Sequence, residues 1–287
     1  MAVVNTNANA SIAQNALARN ERAMNTAMER LSTGQRINTA ADDAAGLAIA
    51  SRMTSQIRGL EVGIRNAKDA ISMISTADGA LIEVTNMLQR MRELALQASN
   101  GTTTSADRAY LSLEYANLLS EIDRIAENTQ WNGMTILNHT TDASSEFAFQ
   151  VGANGGQTID VQFGDFTNTA SGVFAALATG SHATISYATT ADAIAGNTSA
   201  VNLIDSAITA VNSQRATFGA AVNQLTYAVD NLSNVQVNAE ASRSRILDAD
   251  YAVETSELAR TQIIQQAGTA MLAQANQLPQ TVLSLLQ

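Results

Sequence analysis

The longest patterned stretch of the chain is residues 57–98, IRGLEVGIRNAKDAISMISTADGALIEVTNMLQRMRELALQA. Its apolar residues recur at alternating intervals of three and four, the spacing of a heptad seam on a helix that packs against other helices. Two intervals of three adjoin at Ile71, Ile74 and Ala77, a stammer-like slip. The seam consists of Ile57, Leu60, Ile64, Ala67, Ile71, Ile74, Ala77, Leu81, Val84, Leu88, Met91, Ala95 and Ala98. This pattern predicts a helix that ends near Asn100-Gly101.

Shorter helices are predicted on both sides of this stretch. Upstream, Leu17, Met24 and Leu31 recur every seven residues, with Ile12 and Met28 close to the same face. The turn signal 32–34, STG, ends that helix, and a loop around 38–43 follows. Downstream, Thr104 or Ser105 caps a third helix, with Asp107 in its first turn. Its seam is Leu111, Tyr115, Leu118, Ile122 and Ile125.

The middle of the chain carries a β signal. After a turn at Asn132-Gly133, Phe147, Phe149 and Val151 alternate with polar residues, as do Ile159, Val161 and Phe163. The loop 152–156, GANGG, predicts a hairpin between them. Residues 168–197 are weakly patterned, and Ile185 and Tyr187 are a candidate for one more short strand.

Helical periodicity returns in the last third. One seam is Val201, Ile204, Ile208, Val211, Phe218, Val222, Leu225, Val229, Leu232, Val235, Ala239 and Ile246, interrupted at Arg215 and Ser242. A terminal helix follows, with Ile264, Ala267, Met271, Ala275, Leu278, Val282 and Leu285 on one face and a bend expected at Pro279.

Helices thus occupy both chain ends, and a small β-rich insert separates them. The predicted fold is mainly α: an elongated antiparallel helical bundle or coiled coil made from both ends, with the β-hairpin insert at its tip. The expected division is 1–43 and 250–287 for an inner coiled-coil domain, 44–140 and 196–249 for a core bundle domain, and 141–195 for the hairpin and a short variable insert.

Composition excludes several classes of function. The net charge of −10 argues against nucleic acid as a partner, since binding phosphate needs a basic surface. The absence of cysteine excludes disulfides and thiolate sites. The first residues lack the cationic and apolar regions of a signal peptide. The sequence contains no run of about 18 apolar residues, so we expect no membrane insertion.

The two ends lack charge. No charged side chain occurs in 1–18 or in 262–287, whereas a helix that faces solvent normally displays charges there. Our hypothesis is that both ends are largely disordered in the monomer and fold when neighbouring copies enclose them. Head-to-tail contacts between identical copies produce an open helical array. By itself the periodicity therefore predicts a self-assembling coiled-coil protein.

Enzymatic interpretations find little support in the residues. His139 and His182 lie far apart in weakly patterned sequence, and no His-Glu-x-x-His motif occurs. The loop 152–156 lacks the Gly-Lys-Ser/Thr of a phosphate-binding loop. Asp42-Asp43 and Asp248-x-Asp250 fit loop and helix-cap roles better than cation binding. We therefore expect a protein that is not an enzyme, with no catalytic, cofactor-binding or metal-binding residues and no cofactor.

Several stretches resemble bacterial flagellin, in the order of that family and over about residues 1–165 and 195–287. They are ERLSTGQRIN (29–38), DDAAGLAIA (42–50), LQRMRELA (88–95), EIDRI (121–125) with Asn132-Gly133, SRILDADY (244–251) and VLSLL (282–286). The resemblance implies a secreted, extracellular subunit of the flagellar filament. It also implies export through the flagellar type III apparatus, an export chaperone on the C-terminal helix, and filament cap and junction proteins as partners.

The candidate site residues fall into three groups. The polymerisation candidates are Ile12, Leu17, Met24, Leu31, Ile264, Met271, Leu278, Val282 and Leu285, and Leu285→Asp is expected to block assembly. By resemblance, residues that bind the innate immune receptor toll-like receptor 5 are Arg90, Glu93, Leu94, Gln97 and Glu114, on outward helix faces with Leu94 at the edge of its seam. Also by resemblance, inflammasome sensors recognise Leu283, Leu285 and Leu286, although Gln287 stands where the family often has a basic residue.

Three alternatives remain open on the sequence. A hook–filament junction protein shares the terminal helices of the family but departs from its central motifs. A secreted metalloenzyme on a flagellin scaffold would need the missing zinc motif. An intracellular coiled-coil scaffold would not appear in sheared filaments.

Overall fold

The fold is mainly α, as predicted, with small β-hairpins. The structure is a computed structural model and describes residues 7–138, 146–167, 172–178 and 190–284. The helices are α1 (Ala8–Thr33), α2 (Ala44–Ala98), α3 (Ser105–Asn128), α4 (Ala175–Ala178), α5 (Thr190–Leu247) and α6 (Tyr251–Ser284). The strands are β1 (Gln130–Trp131), β2 (Met134–Thr135), β3 (Glu146–Gln150) and β4 (Thr158–Gln162).

The chain divides into two compact units. One comprises Met1–Ile57 with Val237–Gln287, and the other comprises Arg58–Gln236. We call them the terminal unit and the central unit. The domain boundaries expected from the sequence, at 43/44 and 249/250, do not coincide with the boundaries of these two units, because they fall in the loops before α2 and before α6. They remain a proposal about functional domains. Helix α5 begins at Thr190, inside the region expected to be a variable insert. Alanines at 191, 193 and 195 favour helix there without forming a seam.

In the central unit, the predicted seam of α2 lies in the hydrophobic core. Its members from Ala67 to Ala98 are buried apart from Ile71, which is half-buried, while Ala70 and Met73 are buried beside it at the predicted slip. Helix α5 contributes Ile204, Val211, Phe218 and Leu225 to the same core. The ring of Phe218 lies 4.8 Å from that of Phe163, measured between centroids. In the predicted seam of α5, the assignment of Val235 is wrong, because its side chain is exposed.

Local signals end the helices where the sequence indicated. Gly34 adopts a positive φ of 71° and its N–H donates to Arg30 O, which ends α1. The choice between two caps for α3 is resolved in favour of Thr104, which forms a reciprocal capping box with Asp107. Asn132 and Gly133 have φ values of 50° and 80°, so the predicted turn between β1 and β2 uses the left-handed conformation that these residue types tolerate.

The predicted hairpin of β3 and β4 is confirmed, and it packs closely on α2. Residues pair antiparallel from Glu146–Gln162 to Gln150–Thr158. Gly63 of α2 allows the approach, because a Cβ there would lie 2.4 Å from Val151 O. Asn66 Nδ2 donates to Gln150 O at 3.0 Å. The additional strand expected at Ile185 and Tyr187 lies outside the described residues.

Candidate interaction surfaces

Helices α1 and α6 pack against each other in the terminal unit and form its main helix pair. Along α1 the half-buried or buried positions include Leu17, Asn20, Met24, Ala27 and Leu31, which recur at intervals of three and four. Leu17, Met24 and Leu31 therefore lie in the seam that the sequence predicted.

The facing positions of α6 differ from the predicted face. The residues turned towards α1 are Glu254, Leu258, Thr261, Gln265, Gly268, Leu272 and Ala275, all buried or half-buried. Of the predicted face, only Ala275 lies in this seam among the residues whose side chains are described. The difference arises because the seam of α6 uses Thr, Gln and Gly, which a search for large apolar residues passes over. The heptad repeat of Thr261, Gly268 and Ala275 was the signal that could have found it.

Large apolar side chains lie on the outward faces of both helices. On α1 these are Ile12 and Met28, and on α6 they include Ile263, Ile264 and Met271. Met271 is 66 % exposed although no charged residue follows Arg260 in the chain. Leu278 and Val282 lie on α6, but their side chains are outside the described part, and Leu285 lies beyond it. The helix pair thus exposes large apolar side chains, and after Arg260 the polar side chains around them are all uncharged. Exposed apolar groups of this kind are typical of a protein interface.

Polar contacts hold the pair together. Arg30 Nη1 lies 3.1 Å from Glu254 Oε1, and the Glu254 side chain is nearly buried. Asn20 Nδ2 donates to Thr261 O at 2.7 Å and to Gln265 Oε1 at 3.1 Å. The buried polar atoms of the seam are therefore largely satisfied by the opposite helix.

A second surface lies in the central unit and is centred on Arg90. Its Nε donates to Glu114 Oε1 of α3 at 2.9 Å, and its Nη1 donates to Glu93 Oε2 at 3.0 Å. The hydrogen bond to Glu93, followed by that to Glu114, raises the pKa of Arg90 above its usual value. Half of the Arg90 side chain remains exposed, so the guanidinium is oriented by α3 while staying accessible.

Four of the five predicted receptor residues are exposed. Arg90, Glu93, Gln97 and Glu114 lie on the outward faces of α2 and α3, as the sequence indicated. Leu94 does not, because it is 0 % exposed and belongs to the hydrophobic core. Leu94 borders its seam, as expected, but its placement on an outward face is wrong, because the rest of the central unit covers that side of α2.

Two exposed apolar side chains of α3 near Glu114 were not predicted from the sequence. Tyr110 and Leu113 are 75 % and 63 % exposed. Tyr110 lies four residues before Glu114 on the same helix face, and Leu113 immediately precedes Glu114. The spacing of four between Tyr110 and Glu114 was the available signal. The surface around Arg90 therefore combines charged groups with an aromatic and an aliphatic side chain.

The acidic pairs have structural roles. Asp42 accepts hydrogen bonds from Thr39 N and Thr39 Oγ1 and from Asn38 N, which lower its pKa. Asp43 accepts from Gly46 N at the start of α2, and Asp250 accepts from Ala252 N at the start of α6. Asp248 accepts from Ser244 Oγ at 2.6 Å. These are the loop and cap roles that the sequence favoured.

Within the described ranges, no group of three or more His, Cys, Asp or Glu residues is arranged to hold a metal ion. His139 and His182 both lie outside those ranges. In the same part of the chain, no helix combines the length and apolar character needed to cross a membrane.

Comparison with known proteins identifies the family. The family model described as the bacterial flagellin N-terminal helical region matches residues 4–142, and the one for the C-terminal helical region matches residues 201–286. The chain belongs to the bacterial flagellin family. It is 46 % identical over 265 residues to a flagellin of Halalkalibacterium halodurans, with 91 % of each chain covered. It is 37 % identical over 378 residues to Flagellin A of Vibrio cholerae, with 99 % of each covered.

Two solved structures are similar to this chain, and one of them supports the fold. A structure described as that of a flagellar hook-associated protein from Vibrio parahaemolyticus has a TM-score of 0.58 at 17 % identity, covering 72 % of this chain and all of that one. This likeness concerns the fold alone. A crystal structure of Bacillus cereus flagellin is 32 % identical, covers 58 % of this chain and 88 % of that one, and has a TM-score of 0.49. Flagellins are structural proteins that polymerise into the filament of the bacterial flagellum.

Proposed function

We propose that this flagellin polymerises through the outward apolar faces of α1 and α6, and that the filament serves motility. The observation that supports the proposal is the exposure of Ile12, Met28, Ile263 and Met271 on a helix pair whose last part has no charged residue. Burying these side chains against neighbouring copies removes apolar surface from water, which stabilises the assembly. The same faces in an isolated chain remain in contact with solvent.

The experiment compares two substitutions at one exposed position. Met271→Asp places a charge in the proposed interface and is expected to abolish elongation of seeded filaments, whereas Met271→Leu keeps apolar volume and is expected to elongate normally. Sedimentation after seeding measures polymer, and far-UV circular dichroism checks that the helices of the monomer are retained. Normal elongation of the Asp variant would contradict the proposed interface. Leu285→Asp is expected to behave like Met271→Asp.

The proposal also covers how the protein is exported and which proteins it contacts in the cell. We expect export through the flagellar type III apparatus, with a chaperone that covers the uncharged C-terminal helix until export and with cap and junction proteins as partners at the filament ends. An uncharged amphipathic segment that must stay monomeric in the producing cell supports this expectation. Deleting residues 262–287 is expected to abolish chaperone binding in a pull-down, and undiminished binding would argue against this site.

The junction alternative differs from this proposal in what the purified protein does alone. A filament subunit elongates seeds into long filaments, whereas a junction protein adds a short, limited segment. Electron microscopy of seeded protein distinguishes the two outcomes by length.

We further propose that the surface around Arg90 binds toll-like receptor 5 when the protein is monomeric. The support is the exposed, oriented guanidinium between Glu93 and Glu114, with Gln97 on the neighbouring turn and Tyr110 and Leu113 at its edge. Aromatic and arginine side chains are the residue types that contribute most to protein interfaces. In this arrangement Leu94 supports the surface from the core rather than contacting a partner.

Arg90→Ala is expected to weaken receptor activation by monomeric protein in a cell reporter assay. Arg124→Ala is the matched control, because Arg124 also forms an i,i+3 ion pair, with Glu121, on an exposed helix face. Equal dose responses of the two variants would contradict the assignment. The proposed recognition of Leu283, Leu285 and Leu286 by inflammasome sensors is independent of receptor binding at Arg90, since these leucines lie at the C-terminal end of the chain.

A further inference from the structure

The seam between α1 and α6 contains a buried polar side chain at its centre. Asn20 is 9 % exposed, and both hydrogens of its amide nitrogen have acceptors on α6, the carbonyl of Thr261 and the side chain of Gln265. A polar residue at a seam position lowers stability compared with an apolar residue, but it specifies the register of a coiled coil. Asn20 is placed to do this for the helix pair.

The register next to Asn20 is marked by a close packing contact. Three residues before Asn20, Leu17 packs against Gly268, which lies three residues after Gln265. A Cβ at position 268 would lie 2.5 Å from Leu17 Cδ1, so the side chain of Leu17 occupies the space that the glycine leaves. The polar contact and the packing contact therefore indicate the same antiparallel register.

Two other contacts mark the register where α1 ends and α6 begins, the Gln35–Asp248 bridge and the Arg30–Glu254 ion pair. Further along the seam, a shift by seven residues preserves the heptad pattern. After such a shift, Asn20 would face Leu258 or Leu272 instead of Gln265, and Gln265 would face Ala13 or Ala27. Neither Leu nor Ala can accept a hydrogen bond with its side chain, and a buried amide without its partner is destabilising. Only one heptad register pairs the two amides.

We propose that Asn20, paired with Gln265, is a positioning residue that holds the register of α1 against α6 along the seam beyond the Gln35–Asp248 bridge and the Arg30–Glu254 ion pair. The inference rests on the proposed function, because the register fixes where the outward apolar residues of α6 lie relative to those of α1. A slip of seven residues displaces them along the axis by about 10 Å. Neighbouring copies would then meet a mismatched surface.

The test measures the register in filaments. The substitutions Ser11→Cys and Ser256→Cys, both at exposed positions, provide sites for spin labels, and the native chain adds no competing thiol because it contains no cysteine. Labelled chains are diluted into unlabelled protein and grown on seeds. Pulsed electron–electron double resonance then measures the distance between the two labels. The wild-type seam is expected to give one distance. Asn20→Leu is expected to give an additional distance about 10 Å away, or to lose incorporation.

Two further variants make the outcome specific. Asn15→Leu changes an exposed asparagine of the same helix and is expected to keep the single wild-type distance. Asn20→Gln combined with Gln265→Asn exchanges the two amides and is expected to restore a single distance and normal incorporation. A single unchanged distance in Asn20→Leu would overturn the inference, as would a loss of incorporation that the exchange variant shares. Failure of the wild-type chain to form filaments would count against the proposed function instead.

Discussion

At the scale of single residues, two glycines of α2, Gly63 and Gly79, have opposite effects on the stability of the fold. Gly63 lies beneath Val151 of the hairpin, and a Cβ there would come within 2.4 Å of the Val151 carbonyl oxygen. Gly79 lies on the same helix with no neighbouring atom within 4 Å of the position a Cβ would take. Glycine lowers the stability of a helix interior unless close packing requires it.

We therefore expect alanine substitutions at the two positions to differ in sign. Gly79→Ala should raise the free energy of unfolding by about 0.5–1 kcal/mol, because it removes backbone freedom from the unfolded chain. Gly63→Ala should lower it by roughly 1–3 kcal/mol, because the methyl group displaces the hairpin from α2. Urea denaturation of the monomer measures both, and stabilisation by both substitutions would show that the hairpin moves freely on α2.

Tyr115 predicts how stability depends on alkaline pH. Its side chain is fully buried, and its hydroxyl finds no hydrogen-bond partner among the described residues. Burial raises the pKa of Tyr115 to about 12. Since the unfolded chain loses this proton near pH 10, the unfolded state is favoured progressively as the pH rises above that value. Between pH 10 and 12 the contribution is about 1.4 kcal/mol per pH unit.

The matched variant is Tyr115→Phe, which keeps the ring and removes the hydroxyl. We expect it to unfold at the same or a higher urea concentration at pH 7, because the lost hydroxyl had no hydrogen bond. We also expect its stability to fall less than that of the wild type between pH 10 and 12. Parallel curves for the two proteins over this range would contradict the assignment.

At the scale of elements, α2 shows how one helix separates core from surface. Leu88 is fully buried in the core of the central unit, whereas Leu96 is 49 % exposed. Leu88→Ala should cost about 2–5 kcal/mol of stability, because it leaves a cavity. Leu96→Ala should change the stability of the monomer by less than about 0.5 kcal/mol. Chemical denaturation compares them, and similar losses would mean that Leu96 is covered in solution.

The pairing of elements shows the limit of pattern reading. For α2 the largest side chains mark the buried face, and the sequence predicted that face almost completely. On α6 three large side chains, those of Ile263, Ile264 and Met271, are exposed, while Gln265 and Gly268 pack on α1. Hydrophobic periodicity reports which face avoids water but not which partner covers it. The face predicted on α6 is the one that we propose neighbouring copies cover.

At the scale of the whole molecule, the terminal helices should gain most of their stability on assembly. In the single chain α6 packs on α1 through a seam in which Leu258 and Leu272 alternate with small and polar side chains, and Ile263, Ile264 and Met271 are exposed. We expect backbone amides in residues 262–284 of the monomer to exchange rapidly with solvent and to become protected in filaments. Amides of the α2 core are the internal reference. Strong protection of residues 262–284 in the monomer would contradict the coupling of folding to assembly.

The sequence alone was enough to predict most of the helices, several of their ends and the hairpin, because these depend on local periodicity, caps and turn residues such as Thr104, Gly34 and Asn132-Gly133. It did not predict the start of α5 at Thr190, where no apolar seam marks the helix. It also identified the family, through motifs that lie along the chain in a fixed order. Tertiary contacts were needed to show that Leu94 is buried, that Glu114 lies beside Arg90, and that Asn20 meets Gln265. Those facts depend on which helix faces meet across distant parts of the chain, and side-chain spacing within one helix does not contain that information.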